Sequence, residues 1–379
     1  LTTFKFDAGN TGYAPDNTGP TTGVTRAWTT SFGSRFGGSV AVVDGTVYGL
    51  GNGGELVALD ARSGETVWTT TLDGRGVRGG PTVERGSVYV GHDDTVYAVN
   101  ARTGSVEWRA DAGPGIVTNP VTVAAGSVYA VSDARGFNED FDDPTPSDSL
   151  PTVVSAFNAA NGRRVWRVEL PETDAQTASP SYSRGQLHVG TGDFESRTGT
   201  LYTFQAKTGR ENWTFGRPDG GATSPAVADG SVYFGVQFDL YAADARTGTQ
   251  QWRGPSNGSY SASVPSVDDR AVYGAGDGGE VDAVDPTTGE TLWTTRLSEI
   301  VGENTDPDGS PVIAGDTLFV TATRGDFRDR EGLVAALDTA DGSPLWVERF
   351  DQPVRSTPAV ADGRVYVGTA DGIVALEEP

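Results

Sequence analysis

The stretch ADARTGTQQW, Ala243 to Trp252, is written several times in this chain with small changes: ALDARSGETVW at 58–68, AVNARTGSVEW at 98–108 and AVDPTTGETLW at 283–293. Working outward from it, the longer unit SPAVADGSVYFGVQFDLYAADARTGTQQW (224–252) recurs along all 379 residues, with a Trp closing each copy. These are Trp28, Trp68, Trp108, Trp166, Trp213, Trp252, Trp293 and Trp346, all 8 tryptophans of the protein. The starts line up as well, among them GSVAVVDG (38–45), GPTVERG (80–86), NPVTVAAG (119–126) and TPAVADG (357–363). A self-similar unit of about 40 residues signals a repeat architecture.

Each unit reads as four short strands: SPAVA, a turn at Asp-Gly, SVYFG, a variable link, LYAADA, a turn at Thr-Gly, and TQQWRG. Runs of Val, Tyr, Thr and Ala between such turns are strand signals, and no helical periodicity of useful length competes with them. Gly at the second turn position supplies a positive φ without steric cost. The closing Trp offers a flat face for packing one unit on the next and an N–H for a backbone acceptor. Together these features predict an all-β, eight-bladed β-propeller with four-stranded antiparallel blades, one domain over 1–379. Trp28 has no start before it, and the last start, at 357–379, has no Trp after it. The segment from Val24 to Trp28 is therefore predicted to supply the outermost strand of the last blade. That closes the ring, removes both exposed edges and leaves a monomer no need to dimerise.

The pattern A-x-D-x-x-T-G-x-x-x-W, with the upstream S-x-V-x-x-G-x-V-Y-x-G, resembles the repeat of the pyrroloquinoline quinone (PQQ) propeller superfamily. The resemblance covers essentially the whole chain. That superfamily includes quinoprotein alcohol dehydrogenases, the outer-membrane assembly lipoprotein of bacteria and many cell-surface propellers; the organisation here is most similar to the assembly-lipoprotein branch. The resemblance implies the eight-bladed fold, whereas function has to be sought in the site.

Composition narrows that search. The formal net charge is -23, with 51 acidic against 28 basic residues, and Lys occurs only at positions 5 and 207. Such an Arg-for-Lys acidic balance resembles that of proteins from extreme halophiles, with haloarchaea the expected source, and it argues against nucleic acid as a partner. Cys and Met both number 0, so neither a disulfide nor a thiolate metal site is available. No apolar run is long enough to span a membrane. The start at Leu1, without Met, fits either a processed mature form or a trimmed one. The expected location is extracytoplasmic, secreted or anchored at the cell surface, with any signal or anchor upstream of residue 1.

Function is expected where the repeat is broken. Three units are lengthened between their second and third strands, at 132–151, 192–199 and 324–332, and one long link between units runs over 296–309. In an up-and-down blade these segments all emerge on one face, which marks it as the binding face. Residues just before the innermost strands should ring the channel mouth there. Arg355, Arg35, Arg75 and Arg78 fall on three consecutive blades and form a candidate anion-binding arc, since guanidinium forks grip carboxylate or phosphate. Asn119 and Asp308 are further mouth candidates, with Glu299, Glu303 and Asp306 across the ring. The acidic insertion containing Asp140, Asp142 and Asp143 is a weak Ca²⁺ candidate without the spacing of an EF-hand loop.

No catalytic residue is assigned. His92 and His188 lack metal-ligand spacing, and no phosphate-binding loop, nucleophile elbow or zinc-protease motif occurs. The resemblance to quinoprotein dehydrogenases implies PQQ, Ca²⁺, a stacking ring made by two cysteines and a floor Trp. With no Cys, and with every Trp placed at a blade end, those parts are missing. The reading is a non-enzymatic scaffold that needs no cofactor and binds a protein, a peptide or a small anion on the elaborated face. The alternative is a reduced PQQ-dependent oxidoreductase of the alcohol or sugar dehydrogenase type. Its PQQ carboxylates would pair with the arginine arc, and Phe36 or Tyr260 would supply the stacking aromatic.

Overall fold

Eight antiparallel sheets follow one another along the chain in the computed structural model. It describes residues 4–32, 36, 38–74, 79–132, 151–173, 176–193, 198–217, 222–236, 239–254, 263–276, 278–302, 305–324 and 331–379. The fifth blade shows the plan. Ala226–Ala228, Ser231–Val236, Asp239–Asp244 and Gln250–Arg253 pair in sequence from the innermost strand to the outermost. The innermost strands of consecutive blades touch all the way round, and that of the eighth, Ala359–Ala361, meets that of the first, Ala41–Val43. Thr25–Ser31 pairs antiparallel with Gly372–Glu377, so the N-terminal strand completes the last blade as predicted.

Burial explains why the strands read as they do. Ser231–Val236 is buried throughout because neighbouring blades cover both its faces, whereas the outer strand Thr66–Thr71 alternates between exposed and half-buried. Eight apolar clusters hold the ring, each shared by two adjacent blades; Val47, Leu59, Tyr366 and Ile373, for instance, join the first and eighth.

The repeated sentence is a docking device. Seven of the eight Trp donate the indole N–H to a carbonyl at the Asp-x-x-Thr-Gly-type turn of the next blade, as from Trp68 to Ala101 (2.9 Å) and from Trp213 to Ala245 (3.1 Å). Trp346 has no such turn ahead of it and bonds instead to Pro20, in the segment that leads into the closing strand. A one-residue bulge precedes the Trp in each outer strand and re-aims its ring toward the neighbour. The turn Asp accepts from the amides two and three residues on, Arg62 and Ser63 in the case of Asp60, and the amide and hydroxyl of Ser63 hold the Asp60 carboxyl below its usual range. Gly248 is needed twice over, by its φ of +72° and because a Cβ there would lie 2.5 Å from the Trp213 ring. At the first turn the need is conformational alone: Asp44 and Gly45 both have positive φ, and space beyond Gly45 is open.

The lengthened units extend their hairpins on the face opposite these turns. Gln186–Asp193 pairs with Thr198–Gln205, and Thr317–Arg324 with Glu331–Asp338. Two short strands, Gln176–Thr177 and Thr305–Pro307, add to them, and a one-turn helix, Leu297–Val301, precedes the second. No helix among the described residues is long and apolar enough to cross a membrane.

Candidate functional site

The lumen holds a feature that the repeat does not announce. Residues 4–14 run along the channel wall, crossing the fourth to seventh blades. The channel-facing amides of Tyr182, Val227, Val267 and Ile313 donate to the carbonyls of Ala8, Gly9, Thr11 and Gly12. Tyr13–Ala14 then continues in parallel with Val312–Ala314 toward the turn-bearing face. Two side chains pin this segment. Asn10 donates to the carbonyls of Pro180 (3.0 Å) and Pro225 (3.3 Å), and the Lys5 ammonium to those of Val264 (2.8 Å) and Pro265 (2.7 Å). Burial pushes the Lys5 pKa well below that of an exposed lysine, an effect that Asp7 opposes. Burial also raises the Asp7 carboxyl, against hydrogen bonds from Thr11 and Gly9.

Among the described residues, the remaining inner strands border a recess. It is open to solvent and lies between Lys5 and Phe6 and the inner strands of the eighth, first, second and third blades. Its walls are apolar side chains such as Val40, Ala41 and Ala359, with backbone polar groups between them. Among the described residues the amides of Val83 and Val123, which face the lumen in the same register as Tyr182, have no acceptor.

The predicted mouth residues fare unequally. Arg35, Arg75 and Arg78 lie outside the described residues, as do Glu303, Tyr260 and the three aspartates Asp140, Asp142 and Asp143. Arg355 is exposed at the rim, and among the described residues no carboxylate pairs with it. Asn119 is half-buried with its amide on Thr118 (3.1 Å). Asp308 accepts from the hydroxyl of Thr323, which ties the link before the seventh blade to its extended hairpin. Glu299 pairs with Arg296 at 3.6 Å. Phe36 is not a mouth aromatic: it is buried between Gly49 and Gly368 in the core shared by the first and eighth blades.

Both histidines are buried in second strands. His188 occupies the place that Tyr holds in most units. Tyr89 and Tyr129 in that place tilt on a Trp and reach an alanine carbonyl, at Ala159 and Ala206. His188 packs on Trp213 at 5.8 Å and bonds Thr203 through Nδ1, and among the described residues its Nε2 has no partner. Burial lowers its pKa to about 3. Sequence reasoning passed over Lys5, Asp7 and Asn10 because residues 4–14 match no part of the repeat. The available signal was compositional: one of only two lysines lies in that stretch.

Comparison with known proteins agrees with this architecture. The family model described as outer membrane protein assembly factor BamB matches residues 18–137, 151–328 and 278–377. The chain belongs to this family. A BamB from Yersinia pestis is 26% identical over 243 residues, a stretch spanning 59% of this chain and 59% of that protein. The serine/threonine-protein kinase AfsK of Streptomyces coelicolor is 32% identical over 235 residues, 59% of this chain but 27% of the kinase. Among solved structures, BamB from Moraxella catarrhalis superposes with a TM-score of 0.69 at 17% identity, covering 94% of this chain and 98% of that one. Quinohemoprotein alcohol dehydrogenase from Comamonas testosteroni gives 0.77 at 16% identity, covering 99% and 80%. At such identities the structural likeness establishes the fold alone.

Proposed function

We propose that this BamB-family chain is a non-enzymatic, extracytoplasmic propeller scaffold that binds a protein or peptide on its elaborated face. The observation that carries the reading is the asymmetry of the two faces. One bears the tight turns that dock blade on blade and the segment around Asn17 to Pro20 that leads to the closing strand; the other bears the extended hairpins, the added strands and the helix at 297–301. Elaboration of the repeat confined to one face is what a rigid scaffold presenting loops to a partner requires. Arg355, exposed there, suits a partner carboxylate. Membership of the assembly-factor family supports a role in protein assembly.

The test is site-specific photo-crosslinking in cells. Photoreactive residues at 306 and 355 on the elaborated face are expected to capture one defined protein, and those at 62 and 246 on the turn face none. Adducts from the turn face alone, or from neither, would overturn the reading. The oxidoreductase alternative is checked by titrating PQQ with Ca²⁺, for which no saturable uptake is expected. Uptake that is lost in the double variant Arg35→Ala, Arg78→Ala would establish the alternative instead.

A further inference from the structure

At the elaborated end of each inner strand, the residue one before the first ladder pair turns its carbonyl into the lumen. Pro265 illustrates this: Ser266 is opposite Tyr273, and the Pro265 carbonyl faces inward to Lys5. Proline holds this position in the second blade and in the fourth to eighth. Proline lacks an N–H, so these six positions offer the lumen an acceptor and no donor. The result is a collar of carbonyls around the axis.

Most of the collar is satisfied by the chain itself, in two ways. The residue after the collar position can carry a hydroxyl that reaches the collar carbonyl of the next blade: Thr82 donates to Val121 (2.7 Å), Thr122 to Pro180, and Ser266 to Pro311. Elsewhere the N-terminal segment intervenes. Asn10 serves Pro225, and Lys5 serves Pro265, where the preceding blade has Ala226 and no hydroxyl. Three carbonyls remain, those of Pro358, Val40 and Pro81, on the consecutive eighth, first and second blades. The residues that would have served them are Val312, Ala359 and Ala41, all without a hydroxyl. The register is the same there, with Ala359 opposite Tyr366, Ala41 opposite Tyr48 and Thr82 opposite Tyr89. Among the described residues no donor reaches these three carbonyls, and all three residues line the recess.

We propose that this open arc binds a primary ammonium group carried on a short apolar stem. Buried acceptors call for donors. Three neighbouring carbonyls offer acceptors for the N–H bonds of an ammonium, and the apolar side chains beside them suit a stem. Lys5 already places the same chemistry on the same collar: its methylenes lie in the lumen, where a Cβ on Gly12 would come within 2.5 Å of Cε, and its head rests on two carbonyls. The net charge of -23 favours a cation at this mouth over an anion.

The test is calorimetric titration of the whole chain with n-butylammonium, n-butanol and tetramethylammonium in molar salt. Saturable binding of n-butylammonium is expected. The alcohol, which has the stem without the charge, and tetramethylammonium, which has the charge without N–H, should each bind at least about tenfold more weakly. The double variant Ala41→Ser, Ala359→Ser supplies the absent hydroxyls and should weaken n-butylammonium by about tenfold or more. Ala226→Ser, beside the carbonyl that Lys5 already serves, should leave its affinity unchanged. No saturable binding, equal binding of the three probes, or undiminished binding to the double variant would overturn the proposal. The probe comparison needs only the wild-type chain, so it decides even if the variants fold poorly.

Discussion

At the perimeter of the ring, eight blades solve one packing problem with one set of residues, whereas in the lumen eight inner strands of one register meet different surroundings. Outside, Trp, turn Gly and turn Asp recur because each blade offers its neighbour the same surface. Inside, the fourth to seventh blades are paired with residues 8–14, and the eighth, first and second border the recess. Repetition therefore carries stability, and the departures from it carry individuality. The contrast is physical. Blade docking is a side-chain interaction that each repeat can encode, while lumen filling depends on a single segment that meets backbone groups common to every strand.

The largest effects should come from striking the perimeter. Trp252 bonds to a turn within the continuous chain, at Pro286, whereas Trp346 bonds to Pro20 across the closing seam. Replacing either by Ala should cost about 3–5 kcal/mol in urea unfolding. Similar losses would make the seam as strong as any other joint, and a much smaller loss at Trp346 would make it the weak one.

His188 is a break in the perimeter itself, and its pH dependence sharpens the comparison. Its pKa is depressed in the fold, so the folded chain holds it neutral while the unfolded chain protonates it near pH 6.5. The stability it contributes is complete above that value and is lost as pH falls toward about 3, a few kcal/mol over the range. His188→Tyr restores the residue of the repeat. Thermal melts from pH 7 to 4 should show a shallower acid loss in this variant than in the parent.

A paired substitution separates turn conformation from docking. Gly45 and Gly248 share a φ of +72°, but only Gly248 sits against a Trp ring. Gly45→Ala should cost about 1 kcal/mol, and Gly248→Ala about 2–3 kcal/mol, by denaturant unfolding. Equal costs would remove the ring contact from the explanation of the Thr-Gly turn.

The smallest effect is expected in the lumen. Asn10→Ala leaves the Pro180 and Pro225 carbonyls without the Asn10 amide and should cost about 1–2 kcal/mol. Proteolysis should detect loosening of residues 4–14 in this variant before any change in the blades.

What could be read in advance follows the same division. Trp68, Gly64 and Asp60 announced the blades because their spacing repeats, and the orphan Trp28 announced the closing strand, Thr25–Ser31. The carbonyl collar was illegible. Its groups are backbone, and the prolines that expose it at 180, 225 and 265 read only as strand starts. Residues 4–14 were illegible for the complementary reason: they resemble nothing else in the chain. Phe36 looked like a mouth aromatic because it lies near an inner strand, but the absence of a Cβ at Gly49 and Gly368 opens a core slot that its ring fills. Of the arginine arc only Arg355 falls among the described residues.

The most direct measurement is native-state hydrogen exchange resolved at the inner-strand amides. The amides of Tyr182, Val227, Val267 and Ile313, bonded to residues 8–12, should be strongly protected, while those of Val83 and Val123, in the same register, should exchange markedly faster. Uniform protection around all eight inner strands, or fast exchange at Tyr182 and Ile313, would contradict a lumen half-filled by the N-terminal segment.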